Sequence, residues 1–211
     1  MKLTLDTLYK DHDNLRSILC LLEQLLIDIC RGSSKSYLIL QRILIYIQDY
    51  PARIHHTAEY AVFSAVSENV GKNRKFHKDV NTLMKDHEEI ECIIRDAIEA
   101  VGPKLAGTHS DITDIGLKLS TLINRERSHL LFEEMNIYPY VAEHLGDEDW
   151  ENISALIPEY EDPIFGDKIR KDYELIFKAL WLGCGAFQVR KSCRNRNIKS
   201  LLMKTRTNQF Q

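Results

Sequence analysis

Four histidines stand at positions where a packed helix would bury an aliphatic side chain. His12 and His87 each have an aliphatic residue four positions before them and another three positions after them. His55 and His129 also fall on rows of apolar residues at helical spacing. A buried polar group without a partner costs about 1–3 kcal/mol, so these imidazoles need common partners. One such histidine is usually a hydrogen-bonded core residue, whereas four, one in each long helical stretch, indicate a metal site.

Carboxylates accompany these histidines at a spacing of one helical turn. Glu59 comes four residues after His55, and Glu133 comes four residues after His129. Residues four apart lie on the same face of a helix. Four imidazoles and two carboxylates in a dry core suit a pair of metal ions, because a shared carboxylate lowers the repulsion between them. Imidazole and carboxylate without thiolate favour iron or manganese over structural zinc.

Three nearby residues remain alternative ligands or outer partners of the ligands: His56, Glu91 and Glu134. His56 competes with His55 but shares a helical face with Tyr60, so it is interpreted as a neighbour of the site. Glu134 competes with Glu133 and could instead hydrogen-bond a ligand from outside. Glu91 lies four residues after His87 and keeps the same alternative.

Other polar residues are expected to have structural or surface roles. Glu126 and His129 form the single Glu-x-x-His pair, so a ferritin-like di-iron site, which needs two such pairs, fits poorly. Tyr138 and Tyr140 are expected to pack in the core. The remaining histidines fall at a helix start, in a loop and at a helix end, where surface positions are expected: His77, His109 and His144.

The elements that must position these residues are helices. Apolar residues recur every three or four positions in four long stretches, residues 6–30, 36–70, 74–101 and 111–144. Pro51 lies inside the second stretch and is expected to kink or split it. Gly102 and Pro103 are expected to end the third. Short connections favour an antiparallel up-down-up-down four-helix bundle, and no stretch alternates like a strand, so the predicted fold is all-α.

Composition divides the chain into three parts. Residues 1–146 are expected to form the bundle, residues 147–182 to form accessory helical segments that pack on it, and residues 183–211 to form a basic tail. Between residues 189 and 211 there are seven Lys and Arg and no acid, although the formal net charge of the whole chain is −3. A solvated tail is the plain interpretation, and an arm for nucleic acid or another anionic partner is the alternative.

Bulk properties exclude several classes of protein. With 211 residues, 44% hydrophobic and 28% charged, the chain is typical of globular proteins. Its five cysteines include no C-x-x-C pair, which argues against a disulfide framework or a cysteine zinc site. No stretch reaches the roughly 20 apolar residues of a membrane-spanning helix. Asp6 and Asp11 come too early for a signal peptide, so a cytoplasmic protein is expected.

The order of short motifs resembles the hemerythrin-like family, also called the HHE cation-binding domain. The motifs are D-H-D-N-L at residues 11–15, Y-P followed by H-H-x-x-E within 50–59, D-H at 86–87, and H-x-x-x-E-E followed by Y-P within 129–139. The similarity continues through E-D-W at 148–150 and D-P-I-F-G at 162–166, so it covers about residues 1–180. Each motif alone is modest, but their order and spacing together are specific.

The resemblance implies a non-haem di-iron centre with an oxo or hydroxo bridge, in which manganese or zinc could substitute. The family's ligands carry over onto His12, His55, Glu59, His87, His129 and Glu133. Oxygen-carrying hemerythrins have a second histidine and an aspartate where this chain has Glu91 and Glu134. The chain is therefore closer to the bacterial type with four His and two Glu, and simple reversible oxygen carriage is not what this ligand set implies.

Three functions follow from the resemblance, in decreasing order of preference. The first is a di-iron protein that binds or senses dioxygen, nitric oxide or another diatomic ligand, without an assigned enzymatic turnover. The second is a di-iron enzyme or iron donor in defence against nitric oxide or peroxide and in iron–sulfur cluster repair. The third is a metal-free helical interaction module, which the polar interior disfavours.

Overall fold

Helices account for all the regular structure in the part of the chain that the computed structural model describes, residues 3–34, 36–71, 73–108, 111–157 and 161–183. The bundle consists of α1 (Leu5–Cys30), α2 (Ser36–Asp49), α3 (His56–Asn69), α4 (Arg74–Leu105) and α5 (Ile112–Asn136). A π-helical turn, Pro51–His55, joins α2 to α3. Three shorter helices follow, α6 (Tyr138–His144), α7 (Asp147–Leu156) and α8 (Glu174–Gly183). The all-α prediction is confirmed.

Three of the bundle helices begin at polar caps that the sequence supplies. The Thr4 side chain accepts the backbone N–H of Thr7 at 3.2 Å before α1, and Asn73 accepts the N–H of Phe76 at 3.1 Å before α4. Asp111 caps α5 through its carboxylate in the same manner. A cap satisfies a backbone donor that has no partner inside the helix. These starts fall within one residue of the predicted ones.

The bundle helices pack in a ring in which α1 contacts α2 and α5, and α4 contacts the same two helices from the other side. Along α1 and α5 the pairs run in opposite directions. Arg16 meets Glu134 at 2.7 Å, and Glu23 meets Arg127 through two hydrogen bonds of 2.6 and 2.8 Å. The residue number rises on α1 while it falls on α5, so these two helices are antiparallel.

Two helix ends differ from the prediction. The predicted end of the third helix at Val101 was wrong, because α4 continues through Gly102 and Pro103 to Leu105. Pro103 lies in the last turn, where its fixed φ suits a helix and only one backbone hydrogen bond is lost.

The predicted fourth helix divides at Ile137 into α5 and α6. Pro139, near the start of α6, has no N–H to continue the α5 ladder. The split expected at Pro51 is confirmed.

The bundle interior contains two apolar clusters. The larger apolar cluster includes Leu19, Ile43, Ile94 and Leu122 from the four long helical stretches, and Phe177 from α8. The smaller apolar cluster lies toward the other end of the bundle. It includes the fully buried side chains Leu8, Val62, Leu83 and Val141.

Polar side chains separate the two apolar clusters at one position along each helix. On α1, His12 lies between Leu8 of the smaller cluster and Leu15 of the larger one. On α4, His87 lies in the same way between Leu83 and Ile90. We call this level the polar layer, and its buried members are His12, His55, His56, Glu59, His87, Glu126, His129 and Glu133.

The accessory segments contact the bundle on two sides. Helix α7 packs against α3, and α8 packs against α1 and α2. Between them, the buried Asp162 carboxylate accepts the Tyr46 hydroxyl at 2.9 Å and the backbone N–H groups of Ile164 and Phe165 at 2.7 and 2.9 Å. Burial raises the pKa of Asp162 to about 6, while these hydrogen bonds work in the opposite direction.

Two further predictions concern the basic tail and membrane-spanning helices. The seven basic residues of the predicted tail, between residues 189 and 211, lie outside the described residues. Among the residues that are described, no helix is both long and apolar enough to cross a membrane.

Candidate metal centre

All six predicted ligands lie in the polar layer and are buried. Their exposed fractions are 0% for His12, Glu59 and Glu133, 1% for His129, 3% for His55 and 8% for His87. They come from α1, the π turn, α3, α4 and α5, so the fold brings together residues that are up to 121 positions apart in the sequence. The assignment of these residues as ligands remains a prediction, and the geometry around them supports it.

Each of the two glutamates contacts imidazoles from three directions. The Glu133 carboxylate lies 3.3 Å from His12 Nε2, 3.7 Å from His87 Nε2 and 3.2 Å from His129 Nε2. Glu59 approaches Nε2 of His55 at 3.2 Å, of His12 at 3.7 Å and of His87 at 3.8 Å. Both carboxylates therefore lie between imidazoles of different helices, which is where a group shared by two ions must lie.

The donor atoms divide into two groups whose members lie within 4.8 Å of one another. One group contains His12, His55 and Glu59, and the other contains His56, Glu59, His87 and His129. Glu59 belongs to both groups, and Glu133 contacts imidazoles of both. In the second group, Nε2 of His87 and Nε2 of His129 face each other at 3.0 Å, and such a pair of nitrogens needs a proton or a cation between them.

Three of the imidazoles turn Nε2 toward the layer and Nδ1 toward an outer carboxylate. The pairs are His12 with Glu134 at 2.8 Å, His55 with Asp11 at 3.3 Å, and His129 with Asp86 at 3.7 Å. Histidines that bind metals usually donate their second N–H to a carboxylate or carbonyl, which fixes the tautomer and the ring orientation. The predicted role of Glu134 as an outer partner therefore agrees with its position.

Two of the outer carboxylates are themselves paired with arginines. Arg16 donates to Glu134 at 2.7 Å, and Arg125 donates to Asp86 at 2.5 Å. The hydrogen bond from His12, followed by that from Arg16, lowers the pKa of Glu134. His129 and then Arg125 lower the pKa of Asp86 in the same way. Both carboxylates thus stay ionised, Glu134 as the acceptor for the His12 N–H and Asp86 as a negative charge beside His129.

The centre of the layer holds buried polar atoms that make no hydrogen bond within the described part of the chain, although groups of opposite charge lie 3.2–3.8 Å from several of them. Oε2 of Glu59, both carboxylate oxygens of Glu133, Nε2 of His55 and Nδ1 of His56 are buried and make no hydrogen bond. Leaving one buried polar atom unsatisfied costs about 1–3 kcal/mol, so such a concentration needs an explanation. Cations bound between these atoms would satisfy them together, and the donor set therefore fits metal ions.

Without metal, the layer is held as pairs of opposite charge. Burial alone would lower the pKa of His55 and His129, but Glu59 and Glu133 outweigh it and raise the pKa of His55 to about 9 and that of His129 to about 10. Burial likewise raises the pKa of the two glutamates, but the neighbouring imidazoles bring it below its usual value. A metal ion must therefore displace protons from these histidines.

Tyr138 contacts the layer, although it was predicted only to pack. Its hydroxyl donates to Glu59 Oε1 at 2.7 Å and lies 2.8 Å from His12 Nε2, and its ring stacks on that of His12. Burial raises the pKa of the Tyr138 phenol well above its usual value, so the hydroxyl keeps its proton. Tyr138 is the first residue of α6, directly after the one-residue break at Ile137.

Three more acids lie in or beside the layer that were not predicted as site residues. Glu126 is buried one turn before His129, and burial raises the pKa of its carboxyl. Asp11 and Asp86 each precede a histidine in the sequence but serve a histidine of a neighbouring helix. The recurring D-H dipeptide was the available signal, because adjacent helical residues point about 100° apart and so address different neighbours.

The alternative ligands differ in whether they are buried in the layer. His56 is buried in the layer, and its ring lies parallel to that of His87 with 3.7 Å between centroids. Glu91 is exposed and lies outside the layer. Two of the histidines expected at the surface, His77 and His144, are half-buried and bond to nearby backbone carbonyls, and His109 lies outside the described residues.

Comparison with known proteins gives one match. The profile of the Hemerythrin HHE cation binding domain matches residues 3–141, which extend from the start of α1 into α6 and contain every member of the polar layer. No curated protein and no solved structure matches the chain significantly.

Proposed function

The chain belongs to the hemerythrin HHE cation-binding domain family, and from this premise we propose that it is a non-haem di-iron protein that binds or senses dioxygen or another diatomic ligand. Binding of metal ions is the general property that the family and the buried His/Glu cluster share. The identity of the metal as iron, the presence of two ions and the diatomic ligand are the specific parts of the proposal.

The observation that carries the proposal is the concentration of buried polar atoms that make no hydrogen bond between oriented imidazoles. His12 and His55 hold Nε2 inward because outer carboxylates accept from Nδ1, and Nδ1 of His129 faces the Asp86 carboxylate at 3.7 Å. Packing alone does not require a carboxylate beside the outer nitrogen of three histidines. Imidazole with carboxylate, and no thiolate among the layer residues, favours iron or manganese over structural zinc.

The geometry favours two ions over one. His12 and His55 would hold the first ion, His87 and His129 would hold the second, and the two glutamates would be shared. Each glutamate has oxygens near imidazoles of both groups, and a single ion could not contact donors this widely distributed. A pair of iron ions at this place would supply redox-active coordination positions for a small ligand.

The residues around the layer would keep water out of it and hold a proton at its edge. The larger and smaller apolar clusters close it at both ends, so charges inside it interact in a medium of low polarity. The Tyr138 hydroxyl holds a proton 2.7 Å from Glu59 Oε1, at the edge of the site. A cytoplasmic location, expected from the sequence, remains part of the proposal.

Anaerobic loading with ferrous iron tests the proposal. We expect about two irons per chain after desalting, as in other bundles with histidine and carboxylate donors. His87→Ala should lower this content sharply, and His144→Ala, outside the layer, should not. Equal iron content in wild type and His87→Ala, or no iron in either, would contradict the proposal.

Absorption spectra of the loaded protein then separate the candidate functions. Reversible bands on adding dioxygen or nitric oxide favour binding or sensing. Continuous consumption of nitric oxide or peroxide favours a di-iron enzyme, and transfer of the iron to an apo iron–sulfur protein favours an iron donor. A protein that takes up no metal would be a helical interaction module.

A further inference from the structure

Two consecutive residues of the layer face different donor groups. We propose that His55 and His56 serve different ions, with His56 supplying a third imidazole to the ion held by His87 and His129. This inference rests on the proposed function, because it refines the ligand set of the same centre. It makes the two positions unequal, with three imidazoles at one and two at the other.

The π turn explains how neighbouring residues can both face inward. His55 continues the buried face of α2, since it lies eight residues after Ile47 and eleven after Leu44. His56 continues the buried face of α3, since it lies three residues before Glu59 and seven before Phe63. The turn holds one residue more than an α-helical turn, so both faces end at the same level.

Pro51 gives this turn its backbone pattern. Its missing N–H interrupts the helical ladder, and the carbonyl of Tyr50 accepts the N–H groups of both Ile54 at 2.9 Å and His55 at 3.3 Å. The N–H of His56 then reaches back five residues to the carbonyl of Pro51. An insertion of this kind is frequent at functional sites in helices.

The surroundings of His56 are those of a ligand. It is 8% exposed, and a ring nitrogen lies within 4.8 Å of donor atoms of Glu59, His87 and His129. Its Nδ1 is buried and makes no hydrogen bond within the described residues. His55 instead makes an edge contact with the ring of His12, 5.1 Å between centroids, and belongs to the other donor group.

Without His56, the second donor group has fewer candidate donors than the first. Helix α4 offers it only His87, because Glu91, one turn further on, is exposed. Tyr138, which could complete a coordination sphere, lies beside His12 and Glu59 in the first group. Without His56, the ion near His87 would have two imidazoles and the shared carboxylates alone.

His56→Phe tests the inference, because phenylalanine keeps a flat ring that can stack on His87 but offers no lone pair. The matched control is His77→Phe, a half-buried histidine outside the layer. Each protein is titrated with Co²⁺ without oxygen, and binding is followed by visible absorption and metal analysis, with far-ultraviolet circular dichroism to check folding. We expect wild type and His77→Phe to bind two Co²⁺, and His56→Phe to lose at least about 10-fold in affinity at one of them.

The outcomes separate this inference from the proposed function. If wild type binds no Co²⁺, the proposed function fails. If wild type binds two ions and folded His56→Phe binds both with the same affinity and spectrum, His56 is a packing residue and this inference alone is overturned.

A second measurement needs no substitution and covers a His56→Phe variant that does not fold. Zn²⁺ is added to wild type labelled with ¹⁵N at histidine, and the ring nitrogen resonances are followed. The inference expects those of His56 to shift together with those of His87 and His129. An unchanged His56 ring beside shifted His87 and His129 rings would overturn it.

Discussion

The polar layer and the larger apolar cluster are built from the same four helical stretches and are equally buried. They differ in what is buried, which is charged and polar side chains in the layer and apolar side chains in the cluster. In the larger cluster, Leu19, Ile43 and Ile94 have no exposed surface and pack among other buried apolar residues. In the layer, Glu59 and Glu133 are just as buried and meet imidazoles on several sides. One end of the bundle satisfies the usual requirements of a core, and the level beside it violates them.

The difference separates stability from function along the bundle axis. Apolar packing stabilises this fold whatever ion is present. Buried charges are different, because removing them from water costs several kcal/mol per ion before their mutual attraction is counted. Places where sequence and structure depart from the rules of good packing are expected to be functional sites. The following predictions change one region and use the other as reference.

The largest expected effect comes from Glu59→Gln. Glu59 belongs to both donor groups, so we expect the affinity for both ions to fall by more than the roughly 10–100-fold that loss of an outer partner costs. Leu44→Ala in the larger apolar cluster is the reference, and it should cost about 2–5 kcal/mol of unfolding free energy with metal content unchanged. Metal titration and denaturant unfolding measure both. Glu59→Gln that retains full iron would remove the shared role from this residue.

The second prediction concerns pH. In the metal-free protein, the pKa values of His55 and His129 are raised to about 9 and about 10 from 6.5, so their stabilising contribution is complete below pH 6.5 and is lost as the pH rises toward these values. The lowered pKa values of the glutamates contribute stability above pH 4.5, which is lost only in stronger acid. We expect the free energy of unfolding to fall by a few kcal/mol between about pH 6 and pH 9.

Metal affinity should change in the opposite direction. Binding displaces protons from the same histidines, so it strengthens as the pH rises over that range. Unfolding curves of the metal-free and metal-loaded protein at several pH values would show the two trends diverging. Parallel curves would mean that the imidazoles of the layer are neutral without metal.

The third prediction removes the difference between the two regions. Replacing the five histidines of the layer by Leu and its three glutamates by Met turns the layer into ordinary core. Because well-packed apolar residues often stabilise a protein relative to buried ion pairs, we expect a gain of about 1–4 kcal/mol over the metal-free wild type and no metal binding. A lower midpoint of thermal unfolding would show that the layer itself stabilises the bundle.

The smallest effect is expected for Tyr138→Phe. The change removes the donor to Glu59 Oε1 and leaves the stacked ring in place, so the metal-free protein should lose about 1 kcal/mol. Tyr60→Phe, on a side chain that is 63% exposed, is the matched control and should change nothing. A Tyr138→Phe protein as stable as the control would mean that water replaces the hydroxyl.

The sequence predicts the regular part of the fold and of the site well. His12 and His87 occupy aliphatic positions within unbroken helical stretches, so spacing alone predicts their burial in the bundle. Glu59 and Glu133 follow from the one-turn offset to a histidine. All these residues meet in the layer, and only their role as ligands still awaits measurement.

The irregular part could not be predicted, because it depends on backbone breaks that shift the register. His56 was interpreted as a neighbour because it shares a helical face with Tyr60. That spacing does not reveal the π turn, which brings the inner faces of α2 and α3 to two adjacent residues. Tyr138 was assigned to packing as the ordinary role of a core tyrosine, and the break at Ile137 was not predicted. Both breaks lie next to a proline, at Pro51 and Pro139, but the residue type alone does not say which way the register shifts.

The buried contact between Tyr46 and Asp162 has a practical consequence for work on the isolated domain. A piece trimmed to residues 3–141 would leave the Tyr46 hydroxyl without its acceptor and would uncover apolar surface that Phe177 and Leu180 fill. Tyr46 stacks on Tyr50, directly before Pro51, so the damage would reach the segment that carries His55. Recombinant production for metal studies should therefore retain the chain at least through residue 183.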